Sequence, residues 1–261
     1  RELCEQSLVR AELTDRASQR AARLAALAEQ LAGVDTVADT ARTVTDLALA
    51  VVGATAATVG VVDHEHDVLR TYHGSSASDR AQEFSALRLD EPLALSDAAR
   101  TGRAVMCTDL AAYRARYPVT DDIGEDLGAG ARAALPLRSD DRVIGSIVFA
   151  WDRPLAFDDP EIDELTTVAE MTAQAVRQAQ LIEAQAADAI RSKALSELAQ
   201  GLAARSEASD IAGFLTESVL APLGAAYSVV GVVDGDHLLR RYSDGLAQTG
   251  LAVLGHSYAT S

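Results

Sequence analysis

The sequence predicts an α+β fold in which antiparallel β-hairpins and helices alternate through one domain, with long connecting helices at both of its ends. Three observations carry this. Two pairs of β-branched, apolar runs close on short polar turns, the mark of hairpins. From Pro160 to Gly201 no glycine or proline intervenes, and the stretch is rich in the strong helix formers Ala, Glu, Gln and Leu. The chain also repeats itself once, at a spacing far too long for a solenoid, so the repeating unit is a whole domain plus its connecting helix.

Taken in order, residues 1–19 are highly charged and lead into Leu24, Ala28 and Leu31, which reads as a connecting helix arriving from an upstream domain. Val37, Ala41, Val44, Leu47, Ala48 and Val51 recur at helical spacing, with Asp35 as the expected N-cap and Gly53 as the stop. Residues 58–62 and 68–72 are β-branched and apolar, and the polar run from Asp63 to Asp67 is their hairpin turn. Residues 85–89 and 104–107 read as short strands, and 96–100 and 110–116 as short helices. A second hairpin joins 131–137 to 143–150 through Ser139, Asp140 and Asp141, and it is apolar enough to be buried on both faces.

The glycine-free stretch then predicts a helix of roughly 60 Å at 1.5 Å per residue. A compact domain of this size has a radius of gyration of only about 15 Å, so the helix must run out of it. Ile162, Leu165, Ala169, Val176 and Ala179 alternate at three and four spacing, the seam of a helix that pairs with another helix. The register slips near Glu183 and resumes through Ile182, Ala186 and Ile190. Sliding the chain so that Leu24 falls on Leu195 also lays Leu27 on Leu198, Leu31 on Leu202 and Gly53 on Gly224. The run Val59-Gly60-Val61-Val62-Asp63 lands on Val230-Gly231-Val232-Val233-Asp234. The expected organisation is a connecting helix over 1–19, a first domain over 20–158, a signalling helix over 159–194 and the opening part of a second copy over 195–261. A chain that starts at Arg1 and ends inside a second copy reads as a fragment of a longer protein.

Composition narrows the function. With 39 acidic against 23 basic residues the formal charge is −16, which repels nucleic-acid phosphates and anionic membranes. No apolar run is long enough for a membrane span, no signal peptide opens the chain, and two cysteines suit a reducing cytoplasm. There is no Gly-x-Ser-x-Gly elbow, P-loop or HExxH, so no catalytic constellation can be assembled. His64 and His66 with Asp63 and Asp67 could hold a metal, but a solvated turn accounts for them better. The acidic cluster Asp121, Asp122, Glu125 and Asp126 lacks the EF-hand pattern and is expected to be a solvated lid.

Several words of the sequence resemble the GAF domain family. They are Leu135-Pro136-Leu137, Arg142-Val143-Ile144-Gly145, Asp152-Arg153-Pro154, Phe157, Asp158, Glu161 and Leu165, with Thr101-Gly102-Arg103-Ala104-Val105 and Thr108-Asp109-Leu110 ahead of them. The resemblance covers about residues 20–180. It implies a central antiparallel sheet of five or six strands with helices on both sides, as in PAS domains, and a pocket beneath the middle excursion. It also implies sensing and dimeric signalling, with a homodimer formed through the connecting helices and a small molecule as possible ligand.

The residues expected near that pocket are Tyr72, Phe84, Leu87, Cys107, Tyr113 and Tyr117; those expected to pair helices are Ile162, Leu165, Ala169 and Val176. Bilin is disfavoured because Cys107 is followed by Thr108 rather than histidine, and haem because no histidine lies between His73 and His237. The cyclic-nucleotide signature is matched only partly, by Asp152-Arg153, Phe157 and Glu161-Ile162, so the ligand stays unknown and Phe157 is expected to pack. The alanine-rich composition and tandem arrangement resemble the regulatory part of bacterial PP2C-type (SpoIIE-like) serine/threonine phosphatases. A histidine kinase sensor and a ligand-free dimerisation spacer are the alternatives.

Overall fold

A computed structural model of the chain describes residues 18–19, 21–74, 85–118, 130–218, 228–234 and 237–244. The chain divides into two units, Arg1–Glu183 and Ala184–Ser261. Phe84, Cys4 and the acidic cluster from Asp121 to Asp126 lie outside the described residues.

In the first unit, helices α1 (residues 21–31) and α2 (Val37–Val52) precede the hairpin of β1 (Ala56–Asp63) and β2 (Val68–His73). The middle excursion carries β3 (Ala86–Arg88), α3 (Ala94–Thr101), β4 (Val105–Cys107) and α4 (Leu110–Arg116). The second hairpin, β5 (Arg132–Ser139) and β6 (Arg142–Ala150), feeds helix α5 (Asp159–Ala203). Together the strands make one six-stranded sheet in the order β3-β2-β1-β6-β5-β4, with every neighbouring pair antiparallel. The two hairpins meet at the centre because β1 pairs with β6, Val59 opposite Ile147 and Gly60 opposite Ser146.

Alternation along the central strands divides the sheet into two faces. Val59, Val61, Leu135, Leu137, Ile147 and Phe149 point to one side, where α1, α2 and α5 close a single apolar core over them. Phe157 packs edge-on against Trp151, with ring centroids 5.5 Å apart, which fits the packing role expected of it. The other face takes α3, α4 and two smaller clusters. Both faces are therefore covered, as the apolar second hairpin led us to expect.

The N-cap of α2 is Thr36 rather than Asp35. Thr36 has extended backbone (φ −113°, ψ 148°), its hydroxyl oxygen accepts the Asp39 N–H at 3.1 Å, and the hydroxyl donates to the Asp39 carboxylate at 2.8 Å. The cap falls to whichever polar residue is extended just before the first helical one, and that is one position later than periodicity suggested. Gly53 does end the helix, in the left-handed conformation (φ 65°).

The seam of α5 needs a second correction. Leu165, Val168, Ala169, Thr172, Ala173, Val176 and Ala179 are buried within the unit's own core, and Ile162 is half-buried. Leu165, Ala169 and Val176 are thus spent on the sheet and cannot be the surface that pairs with another copy. The same three-and-four spacing serves a helix lying on a sheet or on a helix, so periodicity alone did not distinguish them. Glu183 ends this docked part by accepting the Val37 N–H at 2.9 Å, tying α5 to the first turn of α2.

In the second unit α5 passes through Gly201 and ends at Ala203, followed by α6 (Ala208–Ser218) and the antiparallel pair β7 (Ser228–Asp234) and β8 (His237–Asp244). Gly201 is a contact point rather than a stop: a Cβ there would fall 2.0 Å from the Phe214 ring. The Arg205 guanidinium lies 3.9 Å from the same ring's centroid and donates to the Gly201 carbonyl.

Candidate functional site

The face beneath the middle excursion is where a pocket was expected, and small residues shape it. Gly60 on β1 lies opposite Ser146 on β6, which in turn lies opposite Pro136 on β5, with Ala134 two residues along the same face. Onto this shallow surface α3 settles through Ala94, Ala98 and Ala99, all buried. The buried Ser146 hydroxyl donates to the Leu95 carbonyl at 2.7 Å, which satisfies a polar group that would otherwise be costly to bury. Gly102, left-handed at φ 65°, ends α3 and places its carbonyl to accept Arg138 Nη1 at 3.1 Å.

Helix α4 starts where Asp109 accepts the Ala112 N–H at 2.7 Å. It carries Tyr113 and, at its C-cap, Tyr117, whose rings stand 5.1 Å apart over Cys107, Val105 and Ala134. Beneath them lies Arg132, only 2% exposed, with its guanidinium 4.5 Å from the Tyr113 ring centroid. Burial pushes the Arg132 pKa down, and the neighbouring Tyr113 and Cys107 oppose the shift. Burial also pushes the Cys107 thiol up, against the charges of Arg116 and Arg132, so the thiol is protonated at neutral pH and is a poor nucleophile. Tyr113 is raised by burial as well.

Asp97 joins the two helices. Its carboxylate accepts Arg100 Nη2 at 2.9 Å on one oxygen, and Arg116 Nη2 at 2.9 Å and the Tyr117 hydroxyl at 2.8 Å on the other. Partial burial pushes its pKa up, but the bonds from Tyr117 and Arg116 and the charges of Arg116 and Arg100 outweigh that and hold it below the ordinary value of 3.8. Tyr117 is raised in turn, by burial and then by the carboxylate it faces.

Of the six residues expected at the pocket, Cys107, Tyr113 and Tyr117 come together in one cluster, and Leu87 lies on the same face with Leu69, Leu93, Leu95 and Ala99. Tyr72 does not join them. It lies opposite Val59, on the α2 side of the sheet, and there lines a groove of about 690 Å³ with Arg42, Asp46, Arg70 and His73. An odd-numbered step from Leu69 along a strand reverses the face, which is why Tyr72 and Leu69 part. Two further residues of this face, Arg132 and Asp97, were not among those expected from the sequence. Arg132 had a signal, a lone charge inside an apolar strand buried on both faces; Asp97 had none, since its partners on α4 are distant in sequence.

The histidine-rich turn is organised by Asp63. Its carboxylate accepts the N–H groups of Glu65 and His66, takes Arg70 Nη2 at 2.7 Å and sits 3.0 Å from His66 Nδ1. Arg70 first, then His66, holds the Asp63 pKa far below the usual carboxylate range. Asp67 closes the turn in the left-handed conformation (φ 55°).

A six-stranded antiparallel sheet with α1, α2 and α5 on one face and a short two-helix excursion on the other defines a GAF-type fold. The family model for the GAF domain matches residues 34–191, and the chain belongs to that family. Such domains are sensory and regulatory modules of signalling proteins. Solved structures agree on the fold. The GAF domain of an Acinetobacter phosphoenolpyruvate-protein phosphotransferase is 10% identical, with TM-score 0.52, covering 62% of this chain and 95% of that one. A methyl-accepting chemotaxis protein fragment is 16% identical, with TM-score 0.51, covering 60% and 99%. The R. palustris bacteriophytochrome RpBphP3 is 12% identical, with TM-score 0.59, covering 82% of this chain and 49% of that one. No curated protein matches the chain in sequence. Among the described residues no helix is long and apolar enough to cross a membrane.

Proposed function

We propose that the chain is the sensory and regulatory part of a multidomain bacterial signalling protein of the cytoplasm, in which the state of the α3 face is carried along α5 to an output. The course of α5 carries this reading. Its residues from Leu165 to Ala179 are packed on the sheet, while residues 183–193 of the same helix are exposed on every side. A hydrogen-bonded rod held at one end passes on any shift of that end. The free stretch bears Ala186 and Ile190 one turn apart, with Ile190 71% exposed, and a second copy of the same helix is the partner that would cover them.

The tandem arrangement is supported by strand register. The pairs Val59 with Tyr72, Gly60 with Thr71 and Val61 with Arg70 recur as Val230 with Tyr242, Gly231 with Arg241 and Val232 with Arg240. Helix α2 opens at Val37 and α6 at Ala208, the same offset. For the output, a PP2C-type serine/threonine phosphatase is the first reading and a histidine kinase the alternative; α5 contains no histidine and would not be the phosphoacceptor helix. A ligand-free dimerisation spacer is favoured by one observation, the direct seating of Ala94 and Ala98 on the sheet face.

Disulfide crosslinking tests the paired helix. With Cys4 and Cys107 replaced by serine, Ala186→Cys and Ile190→Cys should crosslink between copies in high yield and Asp188→Cys, on the opposite side of the helix, poorly. Equal yields at all three positions, or none, overturn it. Thermal unfolding with a nucleotide and metabolite panel separates sensor from spacer, since only a sensor gives a shift.

A further inference from the structure

We propose that Asp97 is a clasp that holds α3 and α4 closed over the sheet, and that releasing it is what opens this face to a small molecule. The inference rests on reading the α3 face as the sensing site. Helices of 8 and 7 residues have no stability of their own in water, so what holds this cover in place is packing and side-chain contact. The packing of α4 is slight: Tyr113 is its one buried residue, with Tyr117 just beyond it. The middle of α4 meets α3 where the Tyr113 phenol oxygen accepts the Ala94 N–H, and the α4 end meets it at a single carboxylate oxygen, Asp97 Oδ2, which accepts from both Arg116 and Tyr117. The Asp97 side chain is 16% exposed, so these charge-assisted bonds are better shielded from water than those of a fully exposed ion pair.

Movement of α4 away from α3 would lift the Tyr113 and Tyr117 rings from the cluster that contains Cys107. In the closed state Cys107 is buried, 3% exposed. Its reactivity therefore reports opening directly, with no ligand needed.

The test is the rate at which 5,5′-dithiobis(2-nitrobenzoic acid) labels Cys107 in the whole chain carrying Cys4→Ser. Asp97→Asn should raise that rate about tenfold or more under native conditions, through local opening. Tyr117→Phe, which keeps the ring and removes only the hydroxyl, should raise it by less, and the double variant should label little faster than Asp97→Asn alone. Val44→Ala, in the core on the opposite face, is the comparator for global destabilisation. An unchanged rate in Asp97→Asn overturns the clasp, as does acceleration equal to that of Val44→Ala at matched urea midpoints. Acceleration together with no thermal shift from any member of the panel upholds the clasp while counting against the sensing reading, so the two fail separately.

Discussion

At the residue scale, the centre of the sheet depends on two glycines with unequal tolerance. A Cβ on Gly145 would fall 2.2 Å from the Gly60 carbonyl oxygen, and backbone on a paired central strand cannot move aside. The nearest atoms to a Cβ on Gly60 would belong to the side chains of Leu69 and Leu95, at 3.2 Å. Gly145→Ala is expected to cost about 3 kcal/mol and Gly60→Ala about 1 kcal/mol, read from urea unfolding midpoints. Similar costs for both would mean that β1 and β6 are less closely apposed than described. The cap of α2 is decided at the same scale: Thr36→Ala should cost about 1 kcal/mol, whereas Asp35→Ala should stay within about 0.5 kcal/mol, and the reverse order would restore Asp35 as the cap.

At the scale of the element, α5 is one helix with two environments. Val176 is fully buried over the sheet, while Ile190 stands free. Val176→Ala should lower domain stability by about 2 kcal/mol through the cavity it leaves. Ile190→Ala should leave unfolding of the domain within about 0.5 kcal/mol of its starting value and weaken the proposed self-association, measured by sedimentation. If Ile190→Ala instead destabilised the domain with association unchanged, the free stretch would be covered by the chain itself. Helix α3 shows the complementary principle. Its alanines let it lie close on Gly60, Ala134 and Ser146, so the cover of this face is fitted by smallness of side chain on both partners.

At the scale of the molecule, the core of the first unit is closed by three helices that include the docked part of α5. The last described tie is the bond from Glu183 to the Val37 N–H. A chain cut after Arg191 should therefore unfold within about 2 °C of the midpoint of the first unit in the full chain, whereas one cut after Arg177 should lose many degrees, by differential scanning calorimetry. Equal midpoints for the two cuts would remove α5 from the core.

Much of this was readable in advance. Period-two alternation and two hairpin turns are local signals, and they located β1, β2, β5 and β6 within a few residues. The left-handed stop at Gly53 was equally local. The site was legible only in part. Cys107, Tyr113 and Tyr117 share one apolar cluster because hydrophobic character and element order bring them to one side of the sheet. Tyr72 lies on the opposite face because its side is fixed by register with β1, and Asp97 carries no local signal because two of its partners lie on another helix or at its end.

Alternation, helix-forming composition and internal similarity are properties of neighbouring or corresponding residues, so the sequence by itself determined the α+β class, the two hairpins, the long helix and the family resemblance. Tertiary structure alone decided which side of α5 is spent on the sheet, which face Tyr72 occupies and which groups meet at Asp97. Each of those depends on the register and docking of elements far apart in the chain, and side-chain spacing along one element is the same whatever it packs against.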